Sequence, residues 1–294
     1  MKPNSLFLDQ PMRFWANVRS ISETVGYTVR SGPAPRQVKA PSITEIETAL
    51  DQRNLATSHI VDVNGNLLAF GEALAQYYEY RADVLNSYVE PRLMDADRAR
   101  QVFDGLRKKL NPQCPIPMNK QKGEKKVPAF LTGIINMLIE ANAEGFPCDY
   151  DPRQLTTVTR DGEPLRTLAR RVDGAFPGTV NPIAVWEIKE YYYTTTFGSR
   201  VADGVYETLL DGMELRELRQ REGVKVRHYL MLDAHYTWWD CGRSYLCRIV
   251  DMLHMGYVDE VLFGYEVVER LPRIVKEWVR MARDRQAGAG ALGG

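Results

Sequence analysis

The sequence lacks the features that mark membrane and secreted proteins. None of its 294 residues belongs to a run of 18 apolar residues, so no membrane-spanning helix is expected. The first residues, Met1 to Ser5, do not include the apolar stretch of a secretory signal peptide. We therefore expect a cytoplasmic protein.

The sequence also lacks a metal-binding cysteine motif, and its formal net charge is zero. The chain has 4 cysteines, none with C-x-x-C spacing, so reduced thiols are expected rather than a zinc site. The 38 Lys and Arg residues equal the 38 Asp and Glu residues, which excludes binding to nucleic acid by bulk positive charge alone. That balance leaves room for a local basic groove. The 26% charged and 44% hydrophobic content is ordinary for a folded protein.

Residues 1–127 read as a mainly helical region without a recognisable motif. Ser42 and Glu45 fit a capping box that begins a helix, and Asn64-Gly65 is typical of a hairpin turn. Longer helices are predicted over about 70–89 and 95–110. A helix followed by a hairpin resembles a helix-plus-wing layout, so this region is either a DNA-recognition domain or helical packing around the rest of the chain.

A basic stretch covers residues 107–126. It holds seven Lys and Arg residues and one acid, Glu124, for a local charge of +6. Pro112, Pro115 and Pro117 exclude a continuous helix, so the pattern predicts a loop. Such a loop is either a solvated surface or a contact with phosphate groups.

Residues 128–286 alternate between helical and strand-like patterns. We predict a hairpin over 154–173 with its turn at Asp161-Gly162, and a third strand over 183–193. The predicted order is α-β-β-β-α-β-α-β-α, which indicates an α/β fold with a mixed sheet flanked by helices. The Gly- and Ala-rich tail, residues 287–294, is expected to be disordered.

Three charged residues lie where the predicted strands end. Strand periodicity places Glu187 and Lys189 on one face, and Asp173 closes the preceding strand in this prediction. If those strands pair, Asp173 lies beside Glu187. Two carboxylates without His or Cys suit Mg²⁺ better than Zn²⁺. A cross-strand ion pair with a purely structural role is the alternative.

The residues around these positions resemble a known signature. Val172-Asp173-Gly174-Ala175-Phe176, followed by Val185-Trp186-Glu187-Ile188-Lys189, is similar to the motif of the PD-(D/E)XK nuclease superfamily, which includes most type II restriction endonucleases. The resemblance covers residues 128–280, and the predicted order of elements is similar to the restriction-endonuclease core. Val172 stands where the name of the motif has proline.

The resemblance implies a function. Asp173 and Glu187 would be ligands of Mg²⁺, for which Mn²⁺ can substitute, and Lys189 would be the catalytic lysine. The protein would be a sequence-specific endonuclease of double-stranded DNA, a homodimer of the prokaryotic cytoplasm. Two alternatives remain: a less specific repair or phage-defence nuclease, and a catalytically inactive DNA-binding module.

Further candidates surround this motif. Glu140 and Glu207 are carboxylates on the neighbouring predicted helices, either of which could add a metal ligand or be a solvated surface acid. The aromatic run 235–239 is interpreted as core or dimer packing, with base stacking as the alternative. The predicted DNA contacts share a basic or hydroxyl side chain: Lys120, Lys122, Lys125, Lys126, Arg170, Arg171, Tyr193, Thr195 and Arg200.

Overall fold

A computed structural model of the protein describes most of the chain and shows an α/β fold. The side chains of residues 120, 121, 124–126, 200 and 289–291 are outside this description. In the described part, no helix is both long and apolar enough to cross a membrane. The described residues are 1–8, 10–28, 36–121, 124–194 and 198–291.

The N-terminal part is helical, as predicted. Ser42 and Glu45 form the expected capping box, in which the Glu45 N–H donates to Ser42 Oγ and Glu45 Oε2 accepts from the Ser42 N–H. The helix predicted over about 70–89 is an α-helix only as far as Asp83, and a π-helical turn, Val84–Val89, and a 3₁₀ turn, Glu90–Arg92, follow it. The helices are α1 (Ser5–Leu8), α2 (Met12–Val25), α3 (Ile43–Asp51), α4 (Ala69–Asp83) and α5 (Ala96–Leu110).

The predicted Asn64-Gly65 hairpin is only a turn. A single bridge between Val61 and Leu67 flanks it. The Asp62 carboxylate accepts hydrogen bonds from the N–H groups of Asn64 and Asn66 and so holds the turn locally. Strand arms like those of a wing therefore do not form at this position.

The basic stretch is not a simple loop, contrary to the prediction. α5 continues to Leu110, and a two-stranded antiparallel hairpin follows, made of β1 (Met118–Gln121) and β2 (Glu124–Pro128). The prolines exclude a helix, as expected, but they do not prevent short strands after residue 117. The hairpin leads directly into α6 (Phe130–Asn142).

A four-stranded mixed sheet forms the centre of the C-terminal part. It consists of β5 (Gly174–Phe176), β6 (Ala184–Glu190), β7 (Arg227–Asp233) and β8 (Glu260–Phe263) in that order, with β5 antiparallel to β6 and the others parallel. Helices α7 (Ser199–Glu222) and α8 (Arg243–His254) are the crossovers between the parallel strands.

The predicted return strand over 165–173 is a strand only as far as Thr167. β3 (Thr157–Arg160) and β4 (Glu163–Thr167) form a separate hairpin, whose turn residue Asp161 has φ 51°. The turn at Asp161-Gly162 is thus confirmed, but the strand ends at Thr167. Asp173 therefore precedes β5 instead of closing a strand.

Helices cover both faces of the central sheet. α6 and the closing helix α9 (Glu266–Ala291) pack on the face that carries Trp186, which stacks on Trp278. α7 packs on the face that carries Val185, through Leu215 and Leu218. Residues 287–291, which were expected to be disordered, form the end of α9, and residues 292–294 lie outside the described residues.

The aromatic run after β7 is helical, and its two tryptophans lie in the core. Tyr236–Cys241 is a π-helical segment in which Trp238 and Trp239 are buried. This agrees with the core-packing interpretation of these side chains. All four cysteines are free thiols, as predicted.

Candidate functional site

Glu187 and Lys189 form an ion pair near the carboxyl end of β6. Lys189 Nζ lies 2.8 Å from Glu187 Oε2, which confirms that the two side chains share a face. Glu187 is fully buried, and Lys189 is only 7% exposed. The charges of Lys189 and Arg170 outweigh the effect of burial and hold the pKa of Glu187 below its ordinary value. Glu187 is therefore a carboxylate at neutral pH.

The backbone of β6 positions Asp173. The Asp173 N–H donates to the Trp186 carbonyl oxygen at 3.1 Å, and Asp173 Oδ2 accepts from the Ile188 N–H at 2.7 Å. These bonds place its carboxylate next to Glu187. Burial, and then the charge of Glu187, raise the pKa of Asp173 to about 6.

Arg170 lies inside this cluster rather than on an open surface. Its Nη1 atom lies 2.9 Å from Glu187 Oε1 and 2.6 Å from Asp211 Oδ2. The structure therefore places this predicted DNA contact among carboxylates of the protein itself. Asp211 is fully buried, and burial followed by the charge of Glu187 raises its pKa to about 7.

Glu207 completes the cluster from α7. Its Oε2 atom lies 3.3 Å from Lys189 Nζ and 3.4 Å from Arg170 Nη2. This candidate was identified from the sequence, whereas Asp211 was missed. Asp211 follows Glu207 by four residues on a helix, and that spacing puts both on one face. The spacing was the available signal.

The cluster offers carboxylate oxygens, which are the type of ligand that suits a hard cation. Asp211 Oδ1 is buried and accepts no hydrogen bond within the described part of the chain, whereas Glu187 Oε1 lies 2.9 Å from Arg170 Nη1. Carboxylate oxygens are the ligands that Mg²⁺ prefers. However, no set of three or more His, Cys, Asp or Glu side chains among the described residues is arranged to hold a metal ion.

Glu140 lies apart from these contacts. Both of its carboxylate oxygens accept from the Gln113 N–H, at 3.0 and 3.2 Å. It therefore holds the loop after α5 in this structure, and the structure does not bring it into contact with Asp173 or Glu187.

The other predicted DNA contacts are only partly described. Arg171 is exposed and lines a cavity of about 620 Å³, which Asp173 and Arg153 also line. Tyr193 is exposed in the turn after β6. Two positions lie outside the described residues, and four others lack a described side chain. The two are Lys122 and Thr195, and the four are Lys120, Lys125, Lys126 and Arg200.

Two family models match the chain. Residues 1–88 match the family described as Domain of unknown function (DUF7690), and residues 94–278 match the one described as Domain of unknown function (DUF7687). No curated protein and no solved structure matches the chain. The second match covers more than half of the 294 residues. The chain therefore belongs to the family described as Domain of unknown function (DUF7687).

Proposed function

We propose that this protein is a Mg²⁺-dependent endonuclease that hydrolyses phosphodiester bonds of double-stranded DNA. One observation carries the proposal: Asp173 is held on β6 beside the buried Glu187–Lys189 pair. The finer form of the proposal is a site-specific type II restriction enzyme, active as a homodimer because a palindromic target requires two-fold symmetry.

The residues would share the work as follows. Asp173 and Glu187 would hold Mg²⁺, which when bound polarises a phosphodiester and makes water easier to deprotonate. Charge–charge attraction to Glu187 raises the pKa of Lys189 against the effect of burial, so Lys189 is an ammonium. It can therefore stabilise negative charge that develops on the phosphate.

The surroundings of Asp173 offer room for a nucleic acid. The cavity that Asp173 lines has two arginines on its wall, Arg171 and Arg153, of which Arg153 pairs with Asp151 at 2.7 Å. Guanidinium groups pair well with phosphate oxygens. A local arginine beside Asp173 is compatible with a chain whose total charge is zero.

The proposal is tested with plasmid DNA and Mg²⁺. Lys189→Ala and Asp173→Ala should each abolish cleavage while DNA binding in Ca²⁺ persists. Lys225→Ala is a matched control, because Lys225 Nζ also pairs with a carboxylate, Asp259, at 2.8 Å, but away from the cluster. Cleavage by purified Lys189→Ala at the wild-type rate would refute the assignment.

The same digest separates the finer alternatives. Discrete bands indicate a sequence-specific enzyme, and a smear indicates a less specific repair or defence nuclease. An inactive DNA-binding module is favoured by one observation, the Arg170 guanidinium between Glu187 and Asp211. Wild-type protein that binds DNA but neither binds Mn²⁺ nor cleaves would support that module.

A further inference from the structure

The carboxylates of the candidate site already surround a cation that belongs to the protein. Arg170 Nη1 lies within 3 Å of one oxygen from Glu187 on β6 and one from Asp211 on α7. Two carboxylates from different elements thus converge on one positively charged group. A divalent ion that binds oxygen ligands would compete with the guanidinium for the same two side chains.

The cluster carries more negative charge than positive charge. Among the described residues, four carboxylates face two cations, Lys189 and Arg170, so the formal charge is −2 when all are ionised. One divalent ion would neutralise it. The carboxylates are Asp173, Glu187, Glu207 and Asp211.

One buried carboxylate oxygen in this cluster lacks a hydrogen-bond donor. Asp211 Oδ1 is inaccessible to solvent and accepts no hydrogen bond within the described residues, whereas Glu187 Oε1 is paired with Arg170 Nη1 at 2.9 Å. A buried acceptor without a donor is destabilising, and carboxylates in this state are usually paired or bound to a metal. Asp211, which the sequence motif does not include, is therefore equipped to contact a cation.

Arg170 can leave its position without crossing the core. It lies in the irregular segment between β4 and β5, and its side chain is 24% exposed. Its other neighbour, Glu207, is 45% exposed and lies toward solvent. A short movement would let the guanidinium keep Glu207 as a partner while it releases Glu187 and Asp211.

We propose that Asp211 is a further ligand of the divalent cation, and that Arg170 is a displaceable counter-ion that occupies this position until the cation binds. This inference rests on the proposed function, because it assigns residues to the same metal site. It makes Arg170 a competitor of the metal rather than a DNA contact.

The test is a calorimetric titration of the full-length protein with Mn²⁺ at pH 8, without DNA. Arg170→Gln should tighten Mn²⁺ binding, and Asp211→Asn should weaken it, each by about tenfold or more, as is usual for changes beside a metal. Arg166→Gln is the matched control. Arg166 is 26% exposed and pairs with Glu214 and Glu217 further along α7, so its loss should leave the affinity unchanged.

The opposite sign or no change in Arg170→Gln would overturn the counter-ion role. If that variant does not fold, Asp211→Asn decides, because it leaves Arg170 paired with Glu187: unchanged Mn²⁺ affinity refutes Asp211 as a ligand. Failure of the proposed function looks different. It would appear as wild-type protein that does not cleave DNA with Mg²⁺ or Mn²⁺, whereas failure of this inference alone leaves cleavage intact.

Discussion

Replacing Gly174 with alanine should strongly destabilise the sheet beside the candidate site. A Cβ atom at this position would lie 2.1 Å from two ring atoms of Trp186, Cε2 and Cζ2. Real Cβ atoms essentially never approach closer than 3.0 Å. The ring has little freedom to move, since Trp186 is fully buried and stacks on Trp278 at a centroid distance of 5.5 Å.

The magnitude follows from this overlap. Overpacking a close-packed core typically costs about 1–3 kcal/mol in the free energy of unfolding. The required shift is large and the neighbour is a rigid ring, so we expect about 3 kcal/mol, a large part of the roughly 5–15 kcal/mol that stabilises a typical domain. Gly174 has no positive φ, so the cost is steric rather than conformational.

The measurement is urea denaturation followed by tryptophan fluorescence and circular dichroism. Gly178→Ala is the control, because an added Cβ there meets nothing within 4 Å. The control should stay within about 0.5 kcal/mol of wild type. If Gly174→Ala unfolds at the same urea concentration as the control, the packing argument is wrong. The variant should also weaken Mn²⁺ binding, because the adjacent Asp173 is positioned by β6.

Three further predictions concern buried charges and the lysine. Burial raises the pKa of Glu190 from 4.5 to about 7. The stability that its proton provides is therefore complete below pH 4.5 and is lost as the pH rises through 7. Glu190→Gln should flatten the dependence of Tm on pH between 5 and 7.5, and an unchanged slope would contradict this prediction. Asp251→Ala should cost about 3–5 kcal/mol in urea denaturation because Arg81 stays buried without its carboxylate, and a loss below 1 kcal/mol would refute it. Gly204→Ala adds a Cβ about 3.1 Å from Lys189 Cδ. It should lower the rate of DNA cleavage by a larger factor than it lowers the free energy of unfolding, and an unchanged cleavage rate would contradict a close fit between α7 and Lys189.

Element types after residue 128 were largely predictable because helix and strand periods differ. The alternation in β6 placed Glu187 and Lys189 on one face, and their 2.8 Å contact agrees. The capping box at Ser42 was also predictable, since it depends only on neighbours in sequence. Local signals of this kind survive because tertiary contacts do not change them.

Features set by distant partners were not predictable from the pattern. β4 ends at Thr167, where the chain stops pairing with β3. No residue type in 165–173 marks the point at which this pairing ends. Arg170 shows the same limit. A guanidinium reads alike in sequence whether it faces phosphate or the carboxylate of Asp211, which lies 41 residues further along the chain.

The position of α7 determines whether the cluster exists at all, because this helix supplies half of its carboxylates. Two glycines on the helix permit its close approach: a Cβ at Gly204 would meet Lys189, and one at Gly212 would lie 2.3 Å from the Tyr257 carbonyl oxygen. They lie eight residues apart, with Thr208 midway and fully buried. Residues spaced by four share a helix face, so this face of α7 packs on β6 at one end and on the turn between α8 and β8 at the other. A motif that extends only from Asp173 to Lys189 therefore describes half of the cluster, and the small residues of α7 set the distance to the other half.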